Sequence, residues 1–263
     1  KGLAVTPNGK TLYVLNGNGF SVSEVDLAPL VDAIESSAEL VKDASQLPKM
    51  APLYMKAAKT VVFATDPLPE EARLGRKVFS YANNSRLSVA NRFACGTCHL
   101  DGTEDKQVWF IAEGARQTPA LAGRLADTPP YNWLGTKATL PENIVGTNAR
   151  MGGSGLLPAE LESLAMFVVV GLKPPPNPNQ AAGGLTPQQE NGKKLFNDPV
   201  TQCAKCHVGG DGSDGAQHDV GTTTDVEATV AKATGKSTKI LYNTPSLRGL
   251  FYSAPYLHDG SAA

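Results

Sequence analysis

The segment CGTCH at residues 95–99 and the segment CAKCH at residues 203–207 decide how this chain folds. Each holds two cysteines three positions apart with a histidine directly after the second, and the 263-residue chain has no other cysteine. At this spacing two sulfurs can attach a haem through thioether bonds. A turn of helix then brings the imidazole of the next residue to the iron. The sequence therefore predicts two covalently attached c-type haems.

This prediction gives a role to every cysteine and to two of the four histidines. The sulfurs hold the porphyrins and the motif histidines are the proximal iron ligands: Cys95 and Cys98 with His99, and Cys203 and Cys206 with His207. The alternatives are one zinc site built from four thiolates, or two redox-active dithiols. Neither explains the adjacent histidines. Zinc ligand pairs also lie about 12 to 20 residues apart, whereas more than a hundred residues separate these motifs.

The composition argues against two kinds of partner. A net charge of −1 gives no long-range attraction to nucleic acid or to an anionic lipid surface. The longest apolar run, at residues 164–172, is about half as long as a membrane-spanning helix. We therefore expect no nucleic-acid partner and no membrane span. Because haem is attached covalently outside the cytoplasm in bacteria, we expect a periplasmic or extracellular location.

Three further stretches occur twice, once with each motif. Residues 68–79 resemble 185–196, residues 118–123 resemble 244–249, and residues 130–136 resemble 255–261. The first pair predicts helix starts, because a proline near the first turn is followed by acidic or amide residues, and Thr186 and Gln189 have the spacing of a capping box. The chain is therefore predicted to be mainly α, a tandem duplication of one cytochrome c domain.

Prolines separate the two copies. The segment at 173–179 contains four prolines and cannot continue the helix that residues 158–172 suggest. We expect a β-meander at 1–27, a connecting segment at 28–65, a first cytochrome c domain at 66–173, a proline-rich linker at 174–184, and a second cytochrome c domain at 185–263 that looks truncated.

The N-terminal segment predicts a different structure. Three short β-type runs, separated by turns at Pro7-Asn8-Gly9 and at residues 16–19, indicate a three-stranded meander. Residues 3–16 resemble one blade repeat of a Tyr-Val-Thr-Asn-type β-propeller. Such blades bury their faces against neighbouring blades, so we expect a propeller to precede this segment. The alternative is a hairpin packed on the first haem domain.

The later motifs carry a resemblance to a known family. Residues 244–249 have the pattern Thr-Pro-x-Leu-x-Gly and residues 254–260 the pattern Ala-Pro-Tyr-x-His-Asp-Gly. Together with the duplicated haem motifs, residues 66–263 resemble the bacterial di-haem cytochrome c peroxidase family. That family includes the di-haem enzyme that matures methylamine dehydrogenase. The resemblance implies one electron-transfer haem, one haem that reacts with hydrogen peroxide, and a tryptophan between them.

The resemblance also suggests sixth ligands for the irons. Met151 lies roughly where relatives place the axial residue of the electron-transfer haem, and we predict that it ligates the first haem. The alternative is a methionine that fills the core. His258 and His218 are weaker candidates for ligands, because pocket or structural roles suit both. A sixth ligand blocks the position at which peroxide binds to the iron. Its presence therefore decides whether a haem can react with peroxide or only transfers electrons.

Other roles follow from the same resemblance. Trp109 lies approximately where relatives place the bridging tryptophan, and Glu142 where they place the distal acid that transfers a proton during peroxide cleavage. The alternatives are a core indole for Trp109 and a helix-start carboxylate for Glu142. The family's calcium ion corresponds to a position around Ser253-Ala254-Pro255.

Two classes of function fit these features. The first is a peroxidase-type oxidoreductase that takes electrons from a small donor or a partner protein and delivers them to hydrogen peroxide. The second is a non-catalytic electron-transfer module with both irons six-coordinate, serving a redox partner.

Overall fold

A computed structural model describes residues 2–36, 56–179 and 183–262 of the chain. The chain divides into two compact units, residues 1–67 and residues 68–263. Among the helices that the structure describes, none combines the length and the apolar character needed to cross a membrane.

The first unit is a four-stranded antiparallel sheet in the order β1-β2-β3-β4. Its strands are β1 (Gly2–Val5), β2 (Thr11–Asn16), β3 (Ser21–Asp26) and β4 (Lys56–Val62), and helix α1 (Ala28–Ser36) follows β3. The first three strands lie where the turns predicted them. The fourth falls inside the predicted connecting segment, part of which lies outside the described residues. The resemblance to a propeller blade stays a prediction.

The second unit begins with helices that form its hydrophobic core. They are α2 (Glu70–Ser80), α3 (Cys95–Cys98), α4 (Leu140–Arg150) and α5 (Pro158–Val170), with the hairpin of β5 (Val108–Ile111) and β6 (Gly114–Gln117) after α3. Helices α2 and α5 cross closely, and the rings of Phe79 and Phe167 meet edge to face with centroids 5.3 Å apart. Gly75 permits this crossing, because a Cβ at this position would overlap the backbone of Ser163. Its backbone N–H donates to the hydroxyl of Ser163 at 2.7 Å.

The rest of this unit is shorter and less regular. It contains α6 (Pro187–Phe196), α7 (Cys203–Cys206), β7 (Gln217–His218), α8 (Asp225–Ala233) and β8 (Tyr242–Asn243). Within the described residues, four single-turn 3-10 helices lie at Gly17–Gly19, Val89–Asn91, Leu100–Gly102 and Leu250–Tyr252. The capping box predicted at Thr186 is present, since its hydroxyl accepts from the N–H of Gln189 and its own N–H donates to the Gln189 side chain.

The described residues form a mixed fold rather than a mainly α one. Eight α-helices are accompanied by the N-terminal sheet and two small two-stranded sheets, β5-β6 and β7-β8. Each of the small sheets follows a Cys-x-x-Cys-His motif and closes the loop that leads to the next Thr-Pro motif. Strands of two to four residues show no alternation of apolar and polar residues, so the sequence pattern does not predict these two sheets.

The two copies of the haem motif belong to one compact unit, residues 68–263. The backbone N–H of Gln117 donates to the carbonyl of His258 at 2.7 Å, and the N–H of Asn243 donates to the carbonyl of Trp133 at 2.8 Å. Trp133 and His258 occupy the same place in the two repeated Pro-Tyr motifs. The segments that follow the two haem motifs are therefore joined by hydrogen bonds at matching positions of the repeated stretches.

The crossing of α2 and α5 yields a test with an internal control. A Cβ at Gly75 would overlap the backbone carbonyl of Ser163, whereas the corresponding Gly192 on α6 has nothing within 4 Å. We expect Gly75→Ala to destabilise the protein by about 3 kcal/mol, because the helices must move apart. Gly192→Ala should be neutral or stabilise by up to about 1 kcal/mol through helix propensity. Urea unfolding of both variants measures the difference, and equal effects would contradict the packing described.

Candidate haem-attachment sites

Both Cys-x-x-Cys segments form a single turn of helix that ends at the motif histidine. The backbone N–H of His99 donates to the carbonyl of Cys95 at 2.9 Å, and that of His207 donates to Cys203 at 3.1 Å. One turn thus carries two sulfurs and an imidazole on five consecutive residues. This is the local geometry that attachment of one porphyrin requires.

At the first site, burial favours uncharged side chains. It raises the pKa of the Cys95 and Cys98 thiols to about 11, and it lowers the pKa of His99 although the backbones of Thr103 and Pro119 act in the opposite direction. A thioether and a neutral imidazole suit such surroundings, whereas a zinc site would need thiolates. The buried Nδ1 of His99 meets no acceptor at good hydrogen-bond geometry.

At the second site, a hydrogen bond orients the histidine. The Nδ1 atom of His207 lies 2.8 Å from the carbonyl oxygen of Gly212. A proton on Nδ1 leaves the lone pair on Nε2, which is the atom that binds a metal in this arrangement. His207 is therefore prepared to act as a proximal ligand.

The region around the second motif has little core of its own. Of the buried hydrophobic residues, only Ala231 and Tyr242 lie within the described part of residues 183–262. Helix α6 buries none of its residues, and Leu195 near its end is half exposed. A porphyrin would supply the missing apolar interior. Both sites therefore fit a covalently attached haem.

An aspartate follows each motif and lies beside its second cysteine. Burial raises the pKa of the Cys98 thiol, and the carboxylate of Asp105 raises it further. In the second copy, ligand atoms of Cys206, Asp214 and His218 all lie within 4.8 Å of one another. These three residues could hold a metal ion. A thioether at Cys206 removes the thiolate from that set, so haem and zinc exclude each other here.

A buried polar cluster joins the two copies. The carboxylate of Glu227, fully buried on α8, pairs with Arg116 on β6. Its oxygens also accept from the hydroxyl of Tyr242 at 3.0 Å and lie 3.1 Å from Nε2 of His258. The rings of Tyr242 and His258 are stacked at 4.0 Å. His258 is therefore held at a buried contact between the copies by a carboxylate, and sequence analysis identified only the histidine.

The two tryptophans lie in different surroundings. Trp109 is 46% exposed on β5, and its indole N–H donates to Asp105 and to Thr118, both at 3.1 Å. Trp133 is half-buried, donates its indole N–H to the carbonyl of Gln117 at 2.9 Å, and accepts from Asn243. Trp133, which sequence analysis passed over, is thus the tryptophan at the contact between the copies. Its place in the repeated Pro-Tyr motif was the available signal.

Two predicted distal residues lie at the two ends of α4, Glu142 in its first turn and Met151 directly after its last residue. Glu142 is exposed and caps the helix, since its carboxylate accepts from the N–H groups of Ala138 and Thr139. Met151 ends the same helix, is half-buried, and accepts through its carbonyl from the N–H of Val89 at 3.0 Å. Iron ligation by Met151 stays a prediction.

The oxygens expected to bind calcium already have donors. The hydroxyl of Ser253 accepts from the guanidinium of Arg124 at 2.7 Å, and its carbonyl accepts from the side chain of Gln117. The ammonium of Lys106 donates to the neighbouring carbonyl of Tyr252. Two cationic side chains at this position oppose a divalent ion. The residues present do not fit calcium.

Comparison with known proteins gives a relative at low sequence identity. The chain is 25% identical over 229 residues to hydrazine synthase subunit gamma of Kuenenia stuttgartiensis, and the match covers 68% of this chain. It spans 64% of the length of that subunit. No protein-family model matches the sequence.

Solved structures share the architecture. Hydrazine synthase of Kuenenia stuttgartiensis, pressurised with xenon, has a TM-score of 0.60 at 23% identity, over 77% of this chain and 78% of that one. A MauG-like protein associated with microbial copper homeostasis has a TM-score of 0.54 at 21% identity, over 77% and 74%. The dihaem peroxidase BthA of Burkholderia thailandensis has a TM-score of 0.50 at 15% identity, over 78% and 73%.

The fold and the motifs define a class of proteins with two Cys-x-x-Cys-His attachment sites within one compact unit. Its fold is that of di-haem cytochrome c peroxidase-like proteins. The resemblance drawn from the sequence is confirmed at that level.

The Glu227 cluster predicts a pH-dependent stability. Burial alone would raise the pKa of Glu227, but hydrogen bonds from Thr224, Arg116 and His258 hold it at about 2, below its ordinary 4.5. The ionised carboxylate therefore stabilises the fold fully above pH 4.5, and this contribution is lost as the pH falls from 4.5 to 2. We expect Glu227→Gln to cost about 3–5 kcal/mol near neutral pH, because Arg116 loses its counter-ion.

The measurement is the free energy of unfolding of both proteins across that pH range. The difference in the free energy of unfolding between the two proteins should decrease as the pH falls from 4.5 to 2. Asp219→Asn is the control, because it removes an acid from an exposed pair with Lys239 at 4.0 Å and should cost no more than about 1 kcal/mol. A gap that stays constant down to pH 2 would show that Glu227 is not ionised in the folded protein.

Proposed function

We propose that this chain is a di-haem c-type cytochrome that passes electrons between two covalently held haems. The observation that carries the proposal is the repeated one-turn helix with its terminal histidine. Cys95, Cys98 and His99 would hold one haem, and the corresponding residues of the second motif the other. The iron, once bound, supplies one-electron chemistry.

We further propose that the two copies arose by duplication of one cytochrome domain. Matching contacts support this. Tyr131 bridges to Lys137 and Tyr256 bridges to Ala262, and each of these tyrosine hydroxyls donates to a carbonyl six residues earlier. The reciprocal hydrogen bonds of Gln117 and Asn243 follow the same pattern. The copies form one unit, which would fix the distance between the haems.

Trp133 is the residue that we propose to lie on the electron path. It belongs to the first copy, and its backbone is held by Asn243 of the second. An indole at this contact offers a π-system between the two haem sites. Trp109 is attached by its indole N–H to the loop of its own copy, which suits a local role.

A peroxidase-type reaction is the finer proposal. Reduction of hydrogen peroxide to two waters consumes two electrons and two protons, and it requires an iron with an open sixth position. A redox partner protein or a small donor would supply the electrons, in a periplasmic or extracellular location. The dihaem peroxidase among the structural neighbours supports this assignment.

One observation favours a second candidate, the non-catalytic electron-transfer module. Glu142 is the proposed distal acid, yet its carboxylate is exposed and caps α4. A proton donor at the iron would have to leave that cap. If no other acid replaces it, the chain relays electrons without reducing peroxide.

Haem attachment is tested by intact mass. We expect the exported protein to carry two porphyrins, and the double variant Cys203→Ala/Cys206→Ala to carry one, because each motif holds its own haem. Cys95→Ala/Cys98→Ala should likewise carry one. A protein that contains zinc and no porphyrin would overturn the proposal.

Spin states decide between enzyme and relay. A high-spin ferric signal that responds rapidly to peroxide supports the enzyme, and two low-spin haems that ignore peroxide exclude it. We expect Met151→Leu to convert one low-spin haem to high spin, because the thioether sulfur is lost. Met166→Leu, on the exposed side of α5, is the control and should change nothing. An unchanged electron paramagnetic resonance spectrum for Met151→Leu would remove the residue from the ligands.

A further inference from the structure

The aspartates that follow the two haem motifs have the same contacts. In each copy one carboxylate oxygen accepts a backbone N–H two residues later, from Gln107 to Asp105 at 2.9 Å and from Ala216 to Asp214 at 3.0 Å. The threonine side chain of the following Thr-Pro motif, Thr118 or Thr244, lowers the pKa of the same carboxylate. Both threonines are buried.

The third donor is a ring nitrogen four residues later, and here the copies differ. The indole N–H of Trp109 lies 3.1 Å from Asp105, and Nε2 of His218 lies 2.7 Å from Asp214. The strand register supports the equivalence, since Val108 pairs with Gln117 just as Gln217 pairs with Asn243.

Both carboxylates lie against the sulfur that would link the porphyrin. Burial raises the pKa of the Cys98 thiol, and Asp105 raises it further through its charge and as an acceptor, while a carboxylate oxygen of Asp214 lies within 4.8 Å of the Cys206 sulfur. A carboxylate at this place would carry its negative charge beside the sulfur that would hold the haem. Its effect on the haem is therefore electrostatic.

We infer that Asp105 and Asp214 set the reduction potentials of the two haems, each acting on the haem attached beside it. This rests on the proposed function, because it needs a porphyrin on each motif. A ferric haem carries one more positive charge than a ferrous haem. A fixed negative charge beside it stabilises the ferric form and lowers the potential.

The surroundings keep both carboxylates charged. Partial burial alone would raise the pKa of Asp214, but the backbone N–H of Ala216 and the side chains of His218 and Thr244 hold that pKa at about 2. The corresponding donors to Asp105 lower its pKa as well. A hydrogen bond from the ring at position 109 or 218 draws the negative charge of the aspartate away from the sulfur. The ring therefore weakens the effect of that aspartate on the reduction potential. Tryptophan in one copy and histidine in the other would make the two haems unequal.

The test is a spectroelectrochemical titration of the haem-loaded protein. Asp105→Asn and Asp214→Asn should each raise one of the two midpoint potentials, and the two variants should raise different ones. We expect the ratio of reduced to oxidised haem at a fixed potential to rise about tenfold, which is about 59 mV for a one-electron couple. Asparagine keeps an acceptor oxygen for the backbone N–H, so the loop is retained.

Trp109→Phe is the decisive second variant. It keeps an aromatic ring but removes the N–H from Asp105, which concentrates the negative charge and should lower the midpoint that Asp105→Asn raises. General loosening of the loop would not produce opposite shifts from two residues of one contact. If Asp105→Asn fails to retain haem, Trp109→Phe alone decides, and an unchanged midpoint overturns the inference.

Glu162→Gln, which neutralises an exposed carboxylate on α5, is the control and should leave both potentials unchanged because water screens it. Intact mass separates the two proposals. Haem present with potentials unmoved by both aspartate substitutions overturns this inference and leaves the di-haem assignment intact. Zinc at Cys206, Asp214 and His218 without porphyrin overturns both.

Discussion

Five consecutive residues on one turn of helix impose the constraint on which the rest of this unit depends. The turn fixes two sulfurs and an imidazole together, and it is closed by a hydrogen bond from His99 to Cys95 and from His207 to Cys203. After the first turn the chain forms the hairpin of β5 and β6, and after the second turn the short strands β7 and β8 flank helix α8. Each of these segments leads to a buried threonine, Thr118 or Thr244.

The two attachment points are held together by buried polar contacts as well as by the chain between them. Glu227 on an inserted helix pairs with Arg116 of the other copy, and Gly114 lets that helix approach, since a Cβ there would meet the Glu227 side chain. A buried ion pair of this kind contributes to specificity of arrangement more than to net stability. It suits a protein that must keep two redox centres at one separation.

The sequence predicted what local patterns encode. The attachment turns, three strands and the capping box at Thr186 have local signals, and all lie where they were expected. The strand β4 and the hairpins beside the haem motifs depend on pairing with distant or very short segments, which periodicity does not report. Glu227 looked like a surface acid on a helix, because only the folded chain brings Arg116 to it. Trp133 lies in a repeated motif, but its hydrogen bond with Asn243 is visible only in the folded chain.

The unequal cores of the two copies have a consequence for maturation in the cell. The buried hydrophobic cluster lies entirely between Ala72 and Leu172, so that region can close before any cofactor arrives. In the proposed di-haem cytochrome, the second motif would gain its interior from the porphyrin. Proteases and thiol oxidants would then meet the second pair of cysteines in an open chain for longer than the first during the proposed export. The assembly machinery has the most to protect at Cys203 and Cys206.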